Sequence, residues 1–335
     1  MGLRAIVTGT GMYVPERIVT NDDLAQRMDT SDEWIQKRTG IRQRHHVMDG
    51  ETPADLALAA SERAVAAAGL EPGDLDAIIL ATLSPHADFP GTSFFLHERL
   101  GVAEIPCFDL RAQCSGFVYA LAVADSFIRS GMFERLLVVG CEVHSTGLNF
   151  TTEGRDVAVL FGDGAGAVVV ESRDGSEEGP GILEIRLHAE GQHARRLWLE
   201  APGSALWPRR IDHELIEEGR IFPQMDGRFV FKHAVTRMPQ VLLESLNAAS
   251  LKLEDIHLFL FHQANLRINE YVANQLKIPP EKCLNNIQRY GNCSAASIPM
   301  LLDEAVRSGR LQPGQLVSMT SFGSGFSWTS AVIRW

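Results

Sequence analysis

The chain repeats itself. Residues 68–80 (AGLEPGDLDAIIL) and 249–261 (ASLKLEDIHLFLF) each read as a helix end, a turn with an acidic residue, and a buried strand. Cys114-Ser115 opens a helical stretch that ends Arg129-Ser130-Gly131, and Cys293-Ser294 opens one that ends Arg307-Ser308-Gly309. Apolar strands follow at 136–139 and 316–319. Phe161-Gly162-Asp163-Gly164 leads into AGAVVVE, and Phe322-Gly323-Ser324-Gly325 leads towards TSAVIRW. The three pairs lie 181, 179 and 161 residues apart and keep the same order, so they report a duplication rather than chance. LDAIIL, RLLVVG and AGAVVV are continuously apolar, as strands covered on both faces are. The expected fold is therefore two similar α/β halves packed together. They divide at 1–172, which holds Cys114, and 173–335, which holds His262 and Asn292.

Between the repeats, residues 171–227 are irregular. They carry glycines, prolines, mixed charge and basic or aromatic clusters such as Trp207-Pro208-Arg209-Arg210. Residues 173–227 read either as a cap over a substrate entrance or as a tolerated insertion. The net charge of −11 argues against long-range attraction to nucleic acid. Five cysteines at irregular spacing, with no CxxC pair, indicate neither a zinc site nor a disulfide framework. Reduced thiols and a cytoplasmic location are the simplest expectation. No signal-peptide pattern and no apolar run of about 18 residues is present, so no membrane insertion is expected.

Cys114 lies between a strand-like segment, 106–110, and a helix that is apolar nearly all round and therefore buried. At a helix start the dipole and free N–H groups favour a thiolate, so a lowered thiol pKa and a nucleophilic role are expected; a small buried residue is the alternative. His262 ends the strand IHLFLF, at the strand exit where α/β folds gather their sites. A core histidine satisfied by hydrogen bonds is its alternative. Asn292 precedes Cys293, which the repeat aligns with Cys114, so the two helix starts should face each other. Asn292 and His262 could donate to an enolate oxygen, although asparagine is also a good helix cap. The glycine-rich turn at 322–325 could present an N–H to a thioester oxygen, and it lacks the Lys-Ser/Thr of a phosphate loop.

Taken together, TSDEWIQKRTGIRQRH, the CSGF around Cys114, VLFGDGAGAVVV, FHQANLRI, YGNCSAASIP and FGSGFSWTSAVIRW resemble β-ketoacyl-acyl-carrier-protein synthase III, a family of thiolase-fold condensing enzymes. The resemblance spans essentially the whole chain. It implies a thiolase-like αβαβα five-layered fold and a homodimer. It implies a catalytic Cys114-His262-Asn292 triad and an oxyanion hole from the N–H groups of Cys114 and Ser324. An acyl-CoA, typically acetyl-CoA, would acylate Cys114. Malonyl-acyl-carrier protein would then lose carbon dioxide and attack the thioester, with no metal or held cofactor. Trp34 and Arg155 match positions that sandwich the CoA adenine, Arg38 one near its phosphates, and Gly227-Arg228 its tunnel. Lys232 and Arg267 match basic positions that dock the acidic carrier. Phe89 matches a residue that reaches across the dimer into the partner's acyl pocket.

Four residues depart from the family pattern: Arg111 before the nucleophile, Arg228 where asparagine is usual, Tyr290 for a common histidine, and His144 where an apolar residue often lines the acyl pocket. They bear on the primer's length, branching and polarity. A thiolase would carry a second cysteine where Phe322 stands. A hydroxymethylglutaryl-CoA synthase would carry a glutamate near Thr82-Leu83. A specialised relative that acylates an alcohol or amine, or joins longer acyl chains, remains compatible with the triad. An inactive partner subunit would usually have lost Cys114.

Overall fold

A computed structural model describes residues 2–175 and 179–335; Met1 and residues 176–178 of the connecting segment lie outside the described residues. Two sheets carry the architecture. The first has five strands in the order Leu3–Tyr13, Gly164–Asp174, Arg135–Glu142, Ala77–Ala81, Cys107–Leu110. The second has four in the order Gly181–Ala189, Ser327–Arg334, Leu316–Gly323, Leu258–Phe261. Each begins with two antiparallel pairings and continues with a parallel one. The fifth strand of the first sheet, parallel to Ala77–Ala81, is reduced in the second to a single bridge between Phe259 and Cys283.

Every residue of AIILA, LFLF and LVSMTSFG is buried, because helices cover both faces of these strands. The helices Gly116–Arg129 and Ser297–Arg307 lie between the sheets. Phe117, Leu121 and Ile128 of one and Leu301 and Ala305 of the other share a core with Ile79 and Val138 of the first sheet and Leu260 and Met319 of the second. Pro53–Ala67, whose start is fixed by Pro53 and a Thr52–Asp55 capping box, covers the outer face of the first sheet through Ala60 and Ala64. Gly227–Ala248 covers that of the second through Val241 and Leu242. The layers therefore run helix, sheet, helix, sheet, helix.

The third sequence match is looser than the other two. Glu142 pairs with Gly164 at the end of the first hairpin, and Gly323 pairs with Ser327 at the end of the second. Residues 143–163 thus make a long excursion where only 324–326 stand in the other half. The two Phe-Gly motifs consequently occupy different places. Phe161-Gly162 precedes the returning strand, whereas Phe322, its match in the second half, lies with Gly323 inside the outgoing one. The excursion also explains why this pair is offset by 161 residues rather than by about 180.

In the connecting segment, Leu197–Trp198 pairs with Gln224–Met225, and Trp207 and Ile211 between them are exposed. Leu197 and Met225 form part of a pocket wall, so this segment does reach a cavity.

Gly140 holds the halves at their closest approach. A Cβ there would sit 2.4 Å from the carbonyl oxygen of Ala295 and 3.2 Å from the Cα of Ala296, both backbone atoms. Gly140→Ala should therefore destabilise the fold by about 1–3 kcal/mol. Urea unfolding checks this, and an unchanged midpoint would contradict the close contact.

Candidate active site

Two short 3₁₀ turns, Gln113–Ser115 and Ser294–Ala296, lead into the central helices. Both open with a non-glycine residue in the left-handed region, Gln113 at φ 46° and Ser294 at φ 44°. That shared conformation sets the structural match: Gln113 corresponds to Ser294 and Cys114 to Ala295. The sequence repeat had aligned Cys114 with Cys293, two residues off. The helix starts do face each other, and Asn292 lies just outside its turn.

Cys114 is 8% exposed. The Ser294 hydroxyl donates to its Sγ at 3.4 Å. Gly323 presses against it so closely that a Cβ there would lie 2.7 Å from that of Cys114. Burial pushes the thiol up to about 11 and Glu142 adds to the rise, while the Ser294 hydroxyl and the N–H groups of Cys114 and Ser324 pull the other way. The lowered pKa expected from a helix start is therefore not found. Desolvation outweighs the donors, and Cys114 rests as a thiol.

His262 is fixed at the end of its strand by its N–H, which donates to Thr320 O at 2.9 Å. Its Nδ1 lies 2.6 Å from Ser297 Oγ, which also accepts the Gln263 N–H at 3.4 Å. A hydroxyl has one proton and two acceptor lone pairs, so Ser297 can either donate to Nδ1, with the ring proton on Nε2, or accept from Nδ1–H. Nε2 is buried and has no protein partner. Burial holds the imidazole neutral, its pKa lowered to about 3. Asn292 is pinned by Leu160 O at 2.8 Å and by the Gly162 N–H at 3.1 Å. Its Oδ1 accepts the Ser294 N–H at 2.8 Å, so the amide NH₂ is the end left for the cavity.

Cys114, His262 and Asn292 line one pocket of about 700 Å³, with Phe161, Trp34, Arg38, Gly227 and Arg228 further along its wall. The Trp34 ring has guanidinium groups on it, Arg38 at 4.0 Å and Arg155 at 4.7 Å. A base stacking there as the resemblance implies must part an arginine from the tryptophan. Lys232 is exposed on the helix that starts at Gly227. Arg267 is exposed too, and three of its donors are engaged, two on Gln36 O and Lys37 O, where they cap the helix Asp32–Thr39, and one on Glu270. Two expected acyl-pocket residues do not line the pocket within one protomer. Phe89 is 83% exposed on the surface, and His144 is buried behind Phe161, ring to ring at 4.5 Å.

Sequence reasoning overlooked Ser294 and Ser297 as partners of the triad, and it overlooked Glu142. This carboxyl is fully buried. It accepts from the Ser84 hydroxyl at 2.6 Å, from the N–H groups of Leu83 and Ser84, and from that of Ala295 at 3.4 Å. Burial pushes it up to about 7 against these donors. NCSAAS carries two serines at a helix start, which was the available signal for Ser294 and Ser297. Nothing in GCEV announced a buried carboxyl.

The models of the family 3-oxoacyl-[acyl-carrier-protein (ACP)] synthase III match residues 108–191 and, for its C-terminal part, 246–335. A "Beta-ketoacyl-[acyl-carrier-protein] synthase III" of Bradyrhizobium sp. is 43% identical over 337 residues, covering 100% of both chains. One of Roseiflexus castenholzii is 45% identical over 99% of this chain and 98% of its own. The crystal structure of 3-oxoacyl-[acyl-carrier-protein] synthase III from Aquifex aeolicus superposes with a TM-score of 0.89 at 41% identity, covering 99% of this chain and 100% of that one.

Two measurements test the electrostatics. Iodoacetamide modification of Cys114 should accelerate about tenfold per pH unit up to pH ~10, since the thiol titrates near 11; a plateau below pH 8.5 would reveal a stabilised thiolate instead. The second concerns stability. His262 and His144 stay neutral to about 3 and His46 to about 4, whereas unfolded imidazoles take a proton below 6.5. Their contribution is thus present above 6.5 and lost as pH falls. Glu142 runs the other way: its folded pKa of about 7 against 4.5 gives stability present below 4.5 and lost as pH rises through 7. Three groups oppose one, so unfolding takes up about two protons near pH 5.5. The urea midpoint should be lower at pH 5 than at pH 7.5, and an equal or higher midpoint at pH 5 would contradict the neutral histidines.

Proposed function

The chain belongs to the 3-oxoacyl-[acyl-carrier-protein] synthase III family, and on that premise we propose that Cys114, His262 and Asn292 are its catalytic residues. It is an acyltransferase-type condensing enzyme. It joins an acyl-CoA primer to malonyl-acyl-carrier protein with loss of carbon dioxide, the step that opens fatty acid synthesis. Relatives of this name at 43–45% identity over nearly the whole chain favour this reading over acylation of an alcohol or amine.

The observation that carries the residue roles is the convergence of a thiol, an unpartnered Nε2 and a fixed amide on one cavity. In the first half-reaction Sγ attacks the primer carbonyl, and the thiol proton passes to Nε2 and on to the departing CoA sulfur. This uses the tautomer in which Nδ1–H donates to Ser297. The carbonyl oxygen turns towards the N–H groups of Cys114 and Ser324. In the second half-reaction Ser297 donates instead, and Nε2–H with the Asn292 amide holds the enolate oxygen as the malonyl carboxylate leaves. The enolate carbon then attacks the Cys114 thioester and expels the Cys114 sulfur, which takes up one proton from water to restore the thiol. Because the Ser297 hydroxyl can rotate between the two roles, one neutral histidine serves both steps.

Trp34, Arg38, Arg155, Gly227 and Arg228 receive the CoA, and Lys232 with Arg267 meets the acidic carrier, where local cations offset a net charge of −11. The protein acts as a homodimer, with Phe89, exposed in the protomer, covered by the partner. Five free cysteines suit the reducing cytoplasm. Among the described residues no helix is long and apolar enough to cross a membrane.

His262→Ala and Asn292→Ala test the assignment by half-reactions. Each should slow decarboxylation by about 10²–10³-fold, the usual effect of losing one aimed donor. Asn292→Ala should leave Cys114 acylation nearly intact, and His262→Ala should impair it less than decarboxylation. Equal losses in both half-reactions would remove the donor role.

A further inference from the structure

Beside the catalytic imidazole lie two more whose Nε2 atoms are buried without a protein partner, those of His144 and His46. They are 7% and 5% exposed. One residue fastens the backbone at or beside each. Asp163 Oδ1 accepts the His144 N–H at 2.7 Å, and Oδ2 accepts the Val47 N–H at 2.8 Å, while the Asp163 N–H donates to His45 O at 2.8 Å. The turn bearing His144 and the strand bearing His46 are thereby fastened to one residue. Phe161, two positions earlier, lines the Cys114 pocket, pairs its backbone with that of Asn292, and meets the His144 ring at a tilt. Its ring lies between the pocket and His144, and neither imidazole is part of the pocket wall.

A buried ring nitrogen with nothing to bond is costly, so a partner is expected. Among the described residues no cluster of His, Cys, Asp and Glu could hold a metal ion. Burial lowers the pKa of His144 to about 3 and that of His46 to about 4, so both rings are neutral. A neutral imidazole can donate or accept, and it offers no charge to a carboxylate.

We propose that His144 and His46 form a polar end to the acyl pocket, selecting a primer whose acyl chain carries a neutral oxygen, a hydroxyl or an oxo group, over an alkyl chain of equal length. This rests on the reading that Cys114 is acylated from an acyl-CoA. An alkyl chain reaching past Phe161 would leave both nitrogens unpaired, whereas an oxygenated one pairs with them. A site built to bond an oxygen discriminates against the analogue that lacks it.

The test is the rate of Cys114 acylation, followed by intact-protein mass spectrometry, with butyryl-, 3-hydroxybutyryl-, acetoacetyl- and glutaryl-CoA beside acetyl-CoA. The better of the two neutral oxygenated primers should exceed butyryl-CoA by at least about tenfold, with glutaryl-CoA slow. His144→Leu should bring that ratio to one or below, and His144→Asn should keep part of it. The ratio is internal to each variant, and thermal unfolding reports whether the variant folds; if His144→Leu does not, His46→Leu carries the same comparison. A wild-type ratio of one or less overturns the inference. So does a ratio unchanged by the leucine variants, which would mean that ordered water satisfies the imidazoles. Failure of every acyl-CoA to label wild-type Cys114, acetyl-CoA included, would instead overturn the reading on which the inference rests.

Discussion

Two buried helix starts, one from each half, meet tip to tip, and the site exists only because they can approach so closely. Gly140 leaves room for the Ala295 backbone, and Gly323 leaves room for Cys114. Gln113 and Ser294 each take up a left-handed conformation to turn into their helices. Serine hydroxyls then tie the contact together. Ser115 receives the hydroxyls of Ser321 at 3.2 Å and Ser327 at 3.1 Å, linking the Cys114 turn to the second sheet, and Ser294 reaches Sγ from the opposite turn. Glu142 closes the arrangement from below by accepting the Ala295 N–H together with donors from residues 82–84. A larger side chain at either glycine would push the halves apart and move the nucleophile relative to its donors.

The chemistry of such a dry junction is that of neutral groups. Burial keeps the Cys114 proton on and the His262 proton off. A standing thiolate–imidazolium pair would need charge that this cavity does not solvate. In the proposed reaction, reactivity comes instead from donors already aimed where charge would develop: the backbone N–H groups at Cys114 and Ser324, the Asn292 amide and the His262 ring. They need little reorganisation when the substrate oxygen becomes negative. Ser297 gives the histidine its freedom, since a hydroxyl can reverse its hydrogen bond where a backbone group cannot.

Much of this was legible in the sequence. The duplication showed in the apolar runs at 77–80 and 258–261, and in two helices that open on Cys-Ser and end on Arg-Ser-Gly. Cys114, His262 and Asn292 stood out because each sits where a strand or loop meets a buried element. The register of the match did not show. Cys293 resembles Cys114 by letter, while the φ values at Gln113 and Ser294 make Ala295 its counterpart. The thiol's pKa was misjudged because the depth of burial depends on packing between halves, which spacing cannot reveal. Arg267 was legible only as a match to a basic carrier-docking position, and the tertiary contact with the helix Asp32–Thr39, which engages two of its donors, was not. His46 and His144 are 98 residues apart in the chain, and the backbone of His144 and that of Val47, next to His46, are held by the one carboxylate of Asp163.

In the proposed reaction Cys114 carries the acyl group between two substrates. Peptide-resolved mass spectrometry of the protein mixed first with acetyl-CoA and then with malonyl-acyl-carrier protein tests it most directly. An acetyl group on the peptide containing Cys114, and on none containing Cys141 or Cys293, is predicted, disappearing as a ketoacyl-carrier product forms. Product formation with Cys114 replaced by alanine, at the wild-type rate and with no adduct at that position, would contradict it.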